Sequence, residues 1–357
     1  MFEFSKRMRW VFALNMVVAL LLLMVYVAPF VPADEYWWMG IMALFYPSLF
    51  WINVVFVVFW AIKKKGYFAL SFLMLLVGYK QFSKAVGFDF SDNQMGQNGH
   101  FKVCSYNVRN FDLHDFMTEK EYEKDFKNFF SQQQPDVICF QELFSLVSPS
   151  GYSYIDTLKK HFNYNHYYLH TEEDSTEQYH GICILSKYPI VAKEKIDHYE
   201  MEGSKNGSVY ADIRFPGQTI RVYSIHLQSV QLGQGLDFKP AKSFEFLPQK
   251  LARAYNLRYR QLHVLMDNIE KSPYPVVVAG DFNEPPMSYL LQKIKNDLDL
   301  KDGLLEAGVG YGSTVNSRFG LTRIDYILAS SSLQLNDFHV ERPDLSDHLP
   351  LFVEVSY

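Results

Sequence analysis

The chain has 357 residues, 48% of them hydrophobic, and a formal net charge of −5. Residues 1–90 carry eight Lys and Arg against four Asp and Glu, whereas residues 91–357 carry 26 against 35, so the larger part is acidic and poorly suited to gripping long nucleic acid by counterion release. The sequence has no CxxC, Gly-rich P-loop or G-x-S-x-G elbow, which argues against redox-motif, nucleoside-triphosphatase and Ser-His-Asp hydrolase chemistry.

The first 90 residues read as a membrane region. No charge lies between Arg9 and Asp34 or between Glu35 and Lys63, and each gap exceeds the roughly 20 residues needed to cross a bilayer. Three helices are expected, over 10–33, 36–62 and 66–88. The first is too long for a signal peptide, and a second span follows it closely. The third stretch, from Tyr67 to Tyr79, is shorter and spans only if Lys80 and Lys84 snorkel. Lys6, Arg7, Arg9 and Lys63 to Lys65 are expected in the cytoplasm, with the Asp34–Glu35 hairpin outside. Trp10, Tyr36, Trp37, Trp38 and Trp60 form the aromatic belts. Three crossings put the following domain outside the cytoplasm, whereas a flat interfacial third helix would leave it inside. The expected location is a bacterial-type inner membrane with an extracytoplasmic catalytic domain. The spans hold no internal ionisable residue, so transport has no support. Residues 91–99 form a polar linker.

Residues 100–357 alternate strands and helices. Phe101–Asn107 is a strand. Thr118–Gln132 is a helix with Tyr122, Phe126, Phe129 and Phe130 inward. Val137–Glu142 is a buried strand that ends at Glu142. Tyr154–Phe162 reads as a helix. His161–His170 reads as a half-exposed strand rather than a metal site. Ile182–Ser186 is a strand, and Val209–Phe215 pairs with Thr219–Leu227 around Pro216-Gly217. Gln231–Gln249 is a long loop of the kind that often carries function. Leu251–Ile269 is a helix with Tyr255, Leu262, Leu265, Met266 and Ile269 inward. Its Arg253, Arg258 and Arg260 read as a solvated face, with phosphate contact as the alternative. Val276–Asp281 is a buried strand that ends in Gly-Asp-Phe-Asn and a double Pro. A helix near Met287–Asn296, a strand containing Asp325 and a last strand at Leu351–Ser356 follow. Cys104, Cys139 and Cys183 each sit in an apolar run and read as buried small hydrophobes.

Polar groups collect at the strand ends: Asn107, Glu142, His226, Asp281, Asn283, Asp325, Asp347 and His348. Carboxylates and amides without a thiolate suit a hard cation such as Mg²⁺ or Mn²⁺. Histidines beside such an ion suit phosphate binding and proton transfer. SYNVRNF at Asn107, FQE at Glu142, HGICILSKYPI from His180, IHLQS at His226, GDFNE at Asp281, RIDYIL at Asp325 and SDHLP at His348 occur in that order. This chain resembles the endonuclease/exonuclease/phosphatase (DNase I-like) superfamily, which includes nucleases, abasic-site endonucleases, neutral sphingomyelinases and inositol-polyphosphate phosphatases.

The resemblance covers about residues 100–357. It implies an α/β four-layer sandwich, two mixed β-sheets flanked by helices, here preceded by transmembrane helices. It implies a metal-dependent phosphoesterase in which Glu142 holds the cation, with Asn107 beside it and Asp347 completing the surroundings. Asp281 would activate water and Asn283 would position phosphate or water. His348, oriented by Asp325, would stabilise the developing charge, and His226 would contact phosphate or aid the leaving group. Asn107, Arg109 and His180 are candidate phosphate contacts, with a structural salt bridge the other reading of Arg109. The anchor and the acidic domain favour a lipid head group or small phosphoester as substrate, with membrane lipid as neighbour. A nuclease and an inactive membrane-tethered binding module are the alternatives. No protein partner follows from the sequence.

Overall fold

The computed structural model describes residues 6–89, 99–109, 119–146, 154–173, 178–198, 206–230, 247–316 and 321–357, with backbone alone at 119–123, 144–146, 154–157, 171–173 and 178–180. The chain starts with α1 (Lys6–Val27), a 3₁₀ turn (Ala28–Phe30), α2 (Trp37–Leu44), α3 (Tyr46–Ile62), α4 (Phe68–Val77), α5 (Tyr79–Phe82) and β1 (Gly87–Phe88). Then come β2 (His100–Asn107), α6 (Glu119–Gln133), β3 (Val137–Leu146), α7 (Tyr154–Phe162), β4 (His166–Glu173), β5 (Gln178–Ser186), β6 (Ile190–Ile196), β7 (Gly207–Phe215) and β8 (Gln218–His226). The rest is α8 (Leu247–Glu270), β9 (Val276–Asp281), α9 (Tyr289–Asp297), β10 (Leu300–Asp302), α10 (Gly303–Ala307), β11 (Val309–Gly310), β12 (Asp325–Ser330), β13 (Gln334–Val340) and β14 (Leu351–Ser356).

Among the described residues two six-stranded sheets run in the orders β10-β12-β9-β8-β7-β6 and β13-β14-β2-β3-β5-β4. The β8–β9 and β2–β3 pairs are parallel, and the other pairs are antiparallel. β-Branched residues dominate the facing surfaces because they fit a pleated layer: Val103, Ile184, Val222, Val277, Ile327 and Val353 share one buried cluster. Full burial of each such side chain contributes about 1.5–3 kcal/mol. The outer faces are covered by helices. Leu262, Leu265 and Met266 of α8 and Leu290 and Ile294 of α9 cover the first sheet. Phe126 and Phe130 of α6 and Leu158 of α7 cover the second. The result is the DNase I-like four-layer sandwich. The three cysteines are free and buried.

The N-terminal helices differ from the expected spans. α1, 22 residues long, rises about 33 Å at 1.5 Å per residue; with the 3₁₀ turn it is long and apolar enough to cross a membrane. The stretch expected as one helix over 36–62 is bent by 53° between α2 and α3. Pro47, in the first turn of α3, has no N–H for the preceding turn and cannot continue α2. The third expected span, 66–88, is not one helix. α4 has 10 residues, about 15 Å, and Gly87–Phe88 pairs as a two-strand ribbon with Val309–Gly310. Asn15 joins three of these helices: its Nδ2 donates to Ser71 Oγ at 2.6 Å and its Oδ1 accepts from Trp60 Nε1 at 2.9 Å. Polar side chains bind apolar helices together in this way where water is absent.

The bundle is seated on the sandwich. Ala33 is buried in the α8 cluster, with Trp37 and Ile41 against it. In the other direction Met287 is fully buried among Leu22, Val25, Ala43 and Tyr46. The expected linker, 91–99, lies outside the described residues except for Gly99, as does 231–246 of the expected long loop; residues 247–249 already belong to α8.

Candidate active site

One row of the site runs across three neighbouring strands. His226 closes β8, Asp281 closes β9 and Asp325 opens β12; Asp281 is in register with both. Asp325 thus begins its strand rather than lying inside it. Gly280, at φ +150°, brings β9 close to β8, and a Cβ there would run into the Ile225 carbonyl, which is why the residue before the aspartate is glycine.

The second sheet supplies the opposing row. Asn107 ends β2. Glu142 was expected to end its strand, but β3 continues to Leu146 through a register shift between Phe140 and Leu143. Glu142 sits in that irregularity at φ +49°. Bulges of this kind re-aim a side chain beside active sites. His348 is placed by a loop rather than a strand. Its N–H donates to Ser346 Oγ, whose hydroxyl donates to the Asn107 carbonyl at 2.9 Å.

Asn107 ties the rows together. Its Nδ2 lies 3.1 Å from Glu142 Oε1 and 3.2 Å from Asp281 Oδ2. His226 Nε2 lies 3.6 Å from Glu142 Oε1 and 3.7 Å from Asp281 Oδ2. His348 Nδ1 bonds both Asp325 oxygens, at 3.0 and 3.1 Å, and its Nε2 lies 3.9 Å from Asp281 Oδ2. Asn283 stands at φ +52°; its N–H donates to Asp281 Oδ1 and its Nδ2 to the Leu227 carbonyl. Arg109 and Asp347 form a half-exposed pair at 3.2 Å. His180 is on β5 opposite Phe144, and its side chain lies outside the described residues.

The electrostatics follow from crowding acidic groups out of water. Burial and the charge of Asp325 push Asp281 up, against the pull of His348 and His226. Burial acts to raise Glu142 as well, but His226, the Asn107 hydrogen bond, His348 and Arg109 together hold it below the usual carboxylate range. Burial opposes the imidazolium of His348, yet Asp325, Asp281 and Asp347 outweigh it and raise that group to about 10.

The donor set fits a hard cation. Both ring nitrogens of His226, 3% exposed, lack a hydrogen-bond partner among the described residues, as does Asp347 Oδ1. Asp281, Asp325 and His348 offer ligand atoms within 4.8 Å of one another. Nδ1 of His348 is already engaged by Asp325, so this trio forms a hydrogen-bonded dyad beside a carboxylate. Glu142, 30% exposed and with the buried Asn107 amide beside it, is the more accessible candidate to hold a cation.

Arg258 is a site residue that the sequence reading misplaced. It is buried, not solvated: its Nε donates to the Gln228 carbonyl at 2.8 Å and its Nη1 to the Asn283 carbonyl at 2.6 Å, and it pairs with buried Glu284. The signal was present in the sequence, since 255, 258, 262, 265 and 269 form one helical stripe.

The family model of the Endonuclease/Exonuclease/phosphatase family matches residues 104–348, from β2 to the His348 loop. The chain belongs to this family. Its members are hydrolases, nucleases and phosphatases among them, and they usually use a divalent metal. A second family model, described only as a domain of unknown function, matches residues 8–85. The uncharacterized protein YbhP of Escherichia coli strain K12 is 29% identical over 245 residues, covering 62% of this chain and 83% of that protein. The endonuclease/exonuclease/phosphatase from Beutenbergia cavernae DSM 12333 superposes with a TM-score of 0.53 at 19% identity, over 72% of this chain and 71% of that one. The human Nocturnin catalytic domain with bound sulfate anion gives 0.53 at 18% identity, over 72% and 94%. D. rerio TDP2 complexed with single strand DNA product gives 0.50 at 17% identity, over 72% and 99%. These likenesses show the shared fold.

Proposed function

We propose that this endonuclease/exonuclease/phosphatase family member is a membrane-anchored, Mg²⁺- or Mn²⁺-dependent phosphoesterase acting on lipid head groups or small phosphoesters. The observation that carries the reading is the convergence of Asn107, Glu142, His226, Asp281, Asp325 and His348 from both sheets. Glu142 and Asn107 would hold the cation, with Asp347 at its margin. A bound divalent cation would neutralise charge on the phosphate oxygens and lower the cost of in-line attack.

The chain's own groups supply the remaining steps. Asp281, raised by burial and fixed by the Asn107 amide and the Asn283 N–H, is poised to take a proton from water. The His348 imidazolium, oriented through Nδ1 by Asp325, stabilises negative charge as it develops. His226 presents its unpartnered ring nitrogens to a phosphate oxygen or the leaving group. Asn283 positions phosphate or water, with Arg109 and His180 as outer phosphate contacts.

Proximity to the bundle supports the head-group preference. Met287, buried among the N-terminal helices, is six residues from Asp281, at most about 21 Å of extended chain. The orientation proposed is extracytoplasmic for the sandwich. In support, Trp60 meets Asn15 and Tyr67 meets Phe12, so Arg9 and Lys63 to Lys65 share the end of the bundle away from the sandwich. The Asp34 carbonyl, by contrast, accepts from Asn256 Nδ2 of α8.

The test is purified full-length chain assayed with Mg²⁺ or EDTA on a chromogenic phosphodiester, a phosphomonoester, plasmid DNA and sphingomyelin vesicles. Metal-dependent turnover of esters or vesicles, lost in Glu142→Ala, supports the proposal. DNA cleavage lost in the same variant replaces it with the nuclease reading. No turnover with metal bound replaces it with the inactive binding module. A periplasm-active phosphatase reporter fused after residue 95 that stays silent would overturn the orientation.

A further inference from the structure

We infer that the N-terminal helical bundle is a positioning part of the active site, acting through Tyr255 and Arg258 on the Asn283–Glu284 turn; the inference rests on the phosphoesterase reading above. The contacts form an unbroken series. Gly40 of α2 lies against the ring of Tyr255, where any Cβ would overlap Cε1 and Cζ. The Arg258 guanidinium lies 4.5 Å from the centre of that ring. Arg258 then fixes the Asn283 carbonyl and Glu284, and the Glu284 carbonyl accepts from Tyr326 Oη at 2.8 Å. Asn283, held in the left-handed region, sets Asp281 through its N–H. Four residues on, Met287 is fully buried in the cluster formed with residues of α1, α2 and α3. The turn carrying the proposed base is therefore clamped at both ends by elements that rest on the bundle.

The clamp has physical grounds. Asn283 at positive φ is strained for a residue with a Cβ and persists only where its surroundings impose it. A buried Arg cation is costly unless matched by a carboxylate and carbonyls, so Arg258 cannot move without taking Glu284 and Asn283 with it. A displacement of about 1 Å at a catalytic group costs on the order of 10²-fold in rate. Arg258 touches no reacting atom in this scheme and is a positioning residue.

The experiment compares full-length wild type with Gly40→Ala, Gly40→Val and, as control, Gly66→Ala, a loop position with nothing within 4 Å of an added Cβ. Two readouts are taken. One is hydrogen exchange of the peptide spanning 281–288, against that spanning 351–356 in β14. The other is kcat and KM on the chromogenic phosphodiester with Mg²⁺. The expected result is faster exchange at 281–288 alone, graded from Ala to Val. With it, kcat falls by roughly 10-fold or more in Gly40→Val while KM stays within about 2-fold. Arg258→Lys combined with Gly40→Val is expected to lose no more kcat than Arg258→Lys alone, because both act on one element. Unchanged exchange at 281–288 in Gly40→Val overturns the inference, as does equal acceleration at 351–356 or an additive double variant. A wild type that turns over nothing refutes the phosphoesterase reading instead, and the exchange readout still decides the coupling.

Discussion

Asp281 and Asp302 are each 2% exposed and lie on the same sheet, on β9 and β10, with β12 between them. Burial pushes both carboxyls up. At Asp302 the Arg323 and Lys295 cations outweigh it and hold the group below its ordinary value. At Asp281 the largest effect of a charge is that of another carboxylate, Asp325, and the group stays raised. Two aspartates with one degree of burial thus play opposite parts. Asp302 is matched by Arg323 and Lys295 and belongs to the scaffold. Asp281 keeps a raised carboxyl, as the proposed phosphoesterase site requires of its base.

The sharpest way to break this contrast is to neutralise each carboxylate in turn. Asp302→Asn leaves Arg323 and Lys295 facing a neutral amide and should cost about 3–5 kcal/mol of stability, measured by chemical denaturation of the full chain. Asp281→Asn should cost no stability without metal, because it relieves repulsion with Asp325, while abolishing turnover. Next in size, Glu142→Ala should lower kcat by about 10²–10³-fold, by analogy with other lost electrostatic stabilisers, in the phosphodiester assay. Third, Mg²⁺ at about 100 times its dissociation constant should stabilise wild type by about 2.7 kcal/mol. Glu142→Ala should show none of that gain, and EDTA should reverse it; thermal midpoints with and without the ion check both.

The smallest effect concerns His198, a buried group that the site does not use. Burial, then Lys195, lowers it to about 4. The unfolded chain therefore binds its proton first, and stability falls as pH drops from the ordinary value of 6.5 towards 4. Between pH 6.5 and 5 the loss should be about 1–2 kcal/mol, and His198→Gln should flatten that slope in denaturation curves.

The sandwich was legible because its core strands are apolar runs that stop abruptly at polar residues, and those stops are the site: Asn107, His226 and Asp281 each end a strand. What escaped was set by tertiary contact. The positive φ of Glu142 depends on how β3 and β5 pair around an extra residue, which no local pattern declares. Arg258 was read by its charge although its position in the α8 stripe marked it as inward; the partner that makes such burial tolerable, Glu284, lies 26 residues away. The expected single helix over 66–88 is interrupted for a similar reason. The apolar stretch Tyr67–Tyr79 reaches Phe88 as one helix only if Lys80 and Lys84 snorkel, whereas Gly87 and Phe88 leave it to join the sandwich.

That ribbon has a consequence for how the two halves hold together. Gly87–Phe88 is laced to Val309–Gly310, and the Asp89 N–H adds a bond to the Gly308 carbonyl. The stretch from 90 to 98 is thus not the sole connection between the helical bundle and the sandwich. A protease nick there should leave two fragments that still co-purify in mild detergent, parting only when the ribbon and the α2–α8 seam are both undone.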